Sequence, residues 1–199
     1  MKRSALALTL LALAVGGLSA CTTVKYGDAQ SVETVNTDFG STDLHLIASK
    51  LTDSLLASPF TAQITANGAR PVVYVNTVSN KTDEHIDTES ITDTISTKLL
   101  QSGLYRFVDP TQVNAVRAQL NFQNSDPLAD AGTAIHFGQM TGAQYMLYGN
   151  LAGIDKQSGD SQDVYYKFTL RLLDLKTGLI DWQDEKEIRK TKSRGLFGM

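Results

Sequence analysis

The sequence holds a single cysteine, Cys21, in 199 residues. That excludes an intramolecular disulfide and any cysteine-ligated metal cluster. Histidine is scarce as well. His45, His85 and His136 stand far apart, without the paired spacing of a zinc hydrolase. There is no nucleophile-elbow serine and no phosphate loop. Gly138-Gln139-Met140-Thr141-Gly142 is glycine-rich, but it closes a helical pattern, whereas an anion site would need to open one. Basic excess is missing too. The net charge is −3, and setting aside residues 1–20, with Lys2 and Arg3, takes it to −5. Nothing in this pattern follows a phosphate backbone, so nucleic acid is not an expected partner. Beyond the first twenty residues there is no apolar run of membrane-spanning length. No cofactor or catalytic constellation is expected, and the chain does not read as an enzyme.

What is present begins at the N-terminus. Lys2 and Arg3 precede an apolar run from Ala5 to Leu18, and small residues lead to Cys21. The run is too short to span a bilayer comfortably, so residues 1–20 read as a cleaved signal peptide. Leu18-Ser19-Ala20-Cys21 resembles the bacterial lipobox. The resemblance implies cleavage before Cys21 and lipid attachment to its thiol, which also occupies an otherwise unpaired cysteine. Each buried acyl CH₂ contributes about 0.8 kcal/mol, so several chains make a lasting anchor. Thr22 stands where inner-membrane lipoproteins tend to carry Asp. This implies the outer membrane, most simply its periplasmic face.

Residues 21–41 are polar and rich in Thr, Asp and Gly, with a short strand possible over Val32 to Val35. They read as a flexible tether, reaching at most about 70 Å. Residues 42–199 suit one domain with one core. Ser41 or Thr42 can cap a helix whose stripe is Leu44, Ile47, Ala48, Leu51 and Leu55, ended by Pro59. Val72 to Val78 reads as a buried strand, followed by a polar loop from Asn80 to Asp87. Asp87 or Thr88 then caps a helix striped by Ile91, Ile95 and Leu99 and stopped at Gly103. Leu104 to Val108 is a short strand. Helices follow from Pro110 and over about 129–141, with Ile135 and Met140 inward.

The last third changes period. Gln144 to Ile154, Val164 to Leu172 and Leu179 to Ile188 alternate in twos, joined by tight turns at Ser158-Gly159-Asp160 and Lys176-Thr177-Gly178. The basic tail from Arg189 is expected to fray. The order predicts an α+β fold: helices packed on a mixed sheet that ends in an antiparallel meander. The strands separated by helices should be parallel.

Two features suggest contact with another molecule. Asp83, Glu84, Asp87 and Glu89 form an acidic cluster. Its spacing does not match the twelve-residue calcium loop, so capping and solvation are expected, not a metal. Tyr145 and Tyr148 fall on opposite faces of their strand, and one of them should look outward, where a tyrosine can anchor a protein contact.

Several segments together resemble the LpoB-type penicillin-binding protein activators. They are Val73-Tyr74-Val75-Asn76-Thr77-Val78-Ser79-Asn80-Lys81-Thr82, the stretch from Leu99 to Val108, Thr141-Gly142-Ala143-Gln144-Tyr145-Met146-Leu147-Tyr148, and Leu179-Ile180-Asp181-Trp182. The likeness covers most of residues 43–188. It implies a fold similar to the TolB N-terminal domain. It also implies an outer-membrane lipoprotein that docks on a class A penicillin-binding protein, a bifunctional peptidoglycan synthase, and activates it. Carried over by position, Asn80, Lys81, Thr82 and Tyr148 are the implied partner-binding residues. The tether here is shorter than in well-known members and lacks their prolines, and the loop from Asp83 to Glu89 is more acidic. A secretion or assembly lipoprotein related to the curli-pore family is the alternative, but such a protein needs surplus alternating segments to enter lipid.

Overall fold

A computed structural model describes residues 27–33, 36–109, 111 and 138–193. Helix α1 spans Ser41–Leu56 and turns its stripe of Ile47, Ala48, Leu51 and Leu55 fully inward. Its cap differs from expectation. Gly40 is the capping residue, and its N–H donates to the Asp43 carboxylate at 2.9 Å. The Thr42 hydroxyl is turned to the Glu33 N–H instead, at 2.7 Å. Pro59 does more than end α1: it opens a second helix, α2 (Pro59–Ile64), capped by Ser58.

Strand β1 is Val72–Val75. Helix α3 (Thr88–Gln101) follows the loop and buries Ile91, Ile95 and Leu99. Asp87 caps it, accepting from the Glu89 and Ser90 amides. Gly103, at φ 74°, takes the left-handed turn that ends it. The polar stretch after β1 is not all loop. Ser79–Lys81 forms a three-residue strand, β2. Next comes β3 (Arg106–Phe107), and then three strands of fourteen residues each: β4 (Tyr145–Ser158), β5 (Ser161–Asp174) and β6 (Ile180–Ser193).

The sheet order is β3-β1-β4-β5-β6, with β2 also paired to β4. β1 is parallel to both β3 and β4, as the intervening helix requires, while β4, β5 and β6 form the antiparallel meander. The tail past Arg189 does not fray as expected. Through Ser193 it stays in register with β5, as Arg189 pairs with Tyr165 and Ser193 with Ser161. The helix expected from Pro110 lies outside the described residues except for Thr111, and only positions 138–141 of the next one are described. There Met140 is 39% exposed, not inward.

The core lies between α1, α3 and one face of the sheet. Val73, Tyr145, Leu147 and Leu151 meet Val164, Tyr166, Phe168, Leu170 and Leu172 there. The backbones run so close that a Cβ at Gly149 would stand 2.1 Å from the Thr169 carbonyl oxygen, so only glycine fits. On the other face a smaller cluster gathers Tyr74, Ala143, Met146, Leu173 and Leu175 at one end of the sheet. Beyond it, that face is open among the described residues.

A candidate protein-docking face

Side chains alternate across a strand, so register decides who shares the open face. On β4 these are Tyr148, Asn150, Ala152 and Ile154; on β5 they are Arg171, Thr169, Lys167 and Tyr165, in matching rows. On β6 the rows continue as Gln183, Glu185, Glu187 and Arg189. Lys81 pairs with Ala152 across the β2–β4 ladder, so it joins the row of Lys167 and Glu187. Tyr148 begins the row of Arg171 and Gln183. Lys81 and Tyr148 therefore share one surface, set apart by four residues of β4, or about 13 Å. Lys81 is exposed, and Tyr148 is half-buried against the smaller cluster.

Asn80 and Thr82 do a different job. The Asn80 amide donates to the Glu84 and Ile86 carbonyls at 2.8 and 3.5 Å, and its own oxygen accepts from the Thr82 amide and hydroxyl at 3.0 and 2.8 Å. One side chain closes the whole loop. The Thr82 methyl packs over Gly153, on the helix side of the sheet. Asn80 and Thr82 thus shape the loop that follows Lys81. Cys21 lies outside the described residues.

Glu84, which the sequence reads as a capping or solvated acid, holds distant parts of the chain together. Its carboxylate accepts from the Phe39 N–H at 2.9 Å and from the Tyr166 hydroxyl. Tyr166 also reaches the Thr37 carbonyl at 3.2 Å, and Phe39 stands edge-on to its ring at 5.6 Å. Burial first, and then the hydrogen bond to Glu84, push the Tyr166 phenol far above its ordinary range. Lys190 binds the Asp38 carbonyl at 2.6 Å and the buried Asp43 carboxylate. Residues 36–40 are thereby strapped across β5 and β6 and onto the loop of Lys81. No local pattern signals this, because Glu84 meets partners far away in sequence.

Charges on the open face are mostly paired. Lys167 lies 2.8 Å from Glu185 and 3.7 Å from Glu187, and Arg189 lies 3.6 Å from Asp163. The Arg189 guanidinium also covers the Tyr165 ring at 5.9 Å. Such exposed pairs add little stability, about 0–1 kcal/mol each. Ile154 stands among them, 54% exposed.

A cleft of about 460 Å³ lies at the far end of the sheet, lined by Gly142, Gln144, Tyr145, Asp174 and Lys176 among others. Its polar groups serve the fold. Gln144 accepts the Val72 amide, and Asp174 accepts the amides of Lys176 and Thr177. Among the described residues no three His, Cys, Asp or Glu side chains converge to hold a metal, and no helix is long and apolar enough to cross a membrane.

Comparison with known proteins agrees with this architecture. The family model for the peptidoglycan-synthase activator LpoB matches residues 43–188. A penicillin-binding protein activator LpoB of Erwinia amylovora is 32% identical over 132 residues, covering 65% of this chain and 63% of that protein. One from Dickeya dadantii is 24% identical over 119 residues, covering 60% and 57%. The chain thus spans less than two thirds of the length of these relatives. In fold it is similar to the LpoB C-terminal domains of Salmonella enterica, with a TM-score of 0.53 and 22% identity, and of Escherichia coli, with 0.54 and 20%. These alignments cover 74% and 73% of this chain and 99% and 98% of those domains. The chain belongs to the LpoB family of peptidoglycan-synthase activators.

Proposed function

We propose that this protein is a non-enzymatic activator that binds a class A penicillin-binding protein and raises its peptidoglycan synthesis. The open face of the sheet is the docking surface in this reading. The observation that carries it is that Lys81 and Tyr148 share one polar face of the sheet, which no described helix covers. A flat face on a packed scaffold offers complementarity without an ordering cost at binding. Asn80 and Thr82 support it by fixing the loop. Cys21 is the lipidated residue, and the outer membrane's periplasmic face is the location. With Glu33 hydrogen-bonded to Ser41 and Thr42, about twelve residues remain between anchor and domain. They reach at most about 40 Å, so the near edge of the domain stays within that distance of the anchor.

The test uses the lipidated protein in detergent with a purified class A synthase from the same organism. Its glycan polymerisation rate should rise on addition. A photoreactive residue at position 81 should crosslink to the synthase. An unchanged rate together with no crosslink would refute the proposal.

A further inference from the structure

We propose that Arg171 is a pre-positioned anchor for a carboxylate on the protein that docks on the open face. The inference rests on the docking reading above and names the chemistry the partner must present there.

The Arg171 guanidinium lies over the Tyr148 ring, 5.8 Å from its centroid. Its Nε donates to Gln183 Oε1 at 2.8 Å and its Nη1 to Asn150 Oδ1 at 3.4 Å. All three neighbours are neutral. The other two β5–β6 cations on this face already have acids, Lys167 at Glu185 and Glu187 and Arg189 at Asp163. Among the described residues no carboxylate pairs with Arg171.

Arginine carries five N–H donors in a planar fork that suits a carboxylate bidentately. Two donors hold the side chain in place, and no described residue takes the rest. Ordering a long side chain normally opposes binding, and here the stack on Tyr148 and two amide oxygens have already done that ordering. A protein seated on Tyr148 would strip water from the guanidinium. That is costly unless a countercharge arrives with it. A carboxylate supplies the charge and matches the fork. The ligand is a point charge on a protein and not an anionic lipid surface. Glu185 and Glu187 share the face with Arg171 and repel a continuous sheet of phosphates.

The test is binding of the lipidated full-length protein in detergent to the purified class A synthase, with R171A, R171K and wild type compared. R171A should weaken binding roughly tenfold or more, with an unchanged circular dichroism melt. R171K, which keeps charge but loses the fork, should recover only part of it. The lysine introduced by R171K should also be joined to a synthase Asp or Glu by a zero-length carbodiimide crosslinker, and the linkage mapped by mass spectrometry. If R171A binds as wild type does, or the linkage at position 171 is missing while R171K still binds, the inference fails and the docking reading stands. If wild type itself does not bind, both fail. If wild type binds phosphatidylglycerol vesicles and R171A does not, the guanidinium serves lipid phosphate and the inference is overturned.

Discussion

The two faces of the meander are made from the same strands and obey different rules. On β5, Val164, Tyr166, Phe168, Leu170 and Leu172 are at most 3% exposed, while Tyr165, Lys167 and Arg171 between them are half-buried. The helix side is specified by volume, since each side chain there fills space that no other shape fills as well. The open side is specified by charge order, with acids set against bases in successive rows. Stability is concentrated on the first, and the second is the face proposed for docking.

The sharpest way to break that contrast is a pair of neighbouring truncations. Phe168→Ala on the helix side should cost about 3–5 kcal/mol. Lys167→Ala, one residue away, should cost about 1 kcal/mol or less. Urea unfolding of both variants checks the difference, and equal midpoints would erase it. Next comes Gly149→Ala, where the added carbon meets the Thr169 carbonyl oxygen. Overpacking should cost about 1–3 kcal/mol, read as a lower Tm. Glu84→Ala leaves the Phe39 amide and the Tyr166 hydroxyl without an acceptor. A loss of about 1–3 kcal/mol is expected, and hydrogen exchange should quicken at residues 37–39 and 82–86 before it does in β5.

The smallest effect is pH-dependent. The folded chain holds the Tyr166 phenol protonated, through burial and then Glu84. The unfolded chain ionises it near pH 10. Below that pH the stability linked to this proton is fully present. Above it the unfolded state sheds the proton and stability falls. Tyr166→Phe should lower stability at neutral pH by about 1 kcal/mol and flatten the alkaline decline, as measured by denaturant midpoints from pH 8 to 11.

Much of this was legible in the sequence, for stated reasons. The alternation from Val164 to Leu172 and the spacing of Ile91, Ile95 and Leu99 are local patterns, and burial follows them directly. Asp87 announced its helix in the same way. β2 was hidden because Ser79, Asn80 and Lys81 have no apolar alternation, and their strand exists only through its ladder with Asn150 to Ala152. The strand beyond Arg189 was hidden for a similar reason, since its charged residues are held by β5 and by the buried carboxylate of Asp43. On the face proposed for docking, Lys81 and Tyr148 came from family likeness. That they share a surface needed two registers, and so did the place of Arg171 between Asn150 and Gln183. Glu84 could not be read at all, because Phe39 and Tyr166 lie far off along the chain.

The strap at residues 36–40 decides how a load travels. A pull from the N-terminal side first meets the hydrogen bonds of Glu33 to Ser41 and Thr42 at the start of α1, and then those of Thr37, Asp38 and Phe39 to β5, β6 and Glu84. Bonds loaded together share the force, whereas a helix end loaded alone would peel turn by turn. The first turn of α1 is thereby clamped to the chain that precedes it, and the rest of the load is shared among the two outer strands and the loop that follows Lys81.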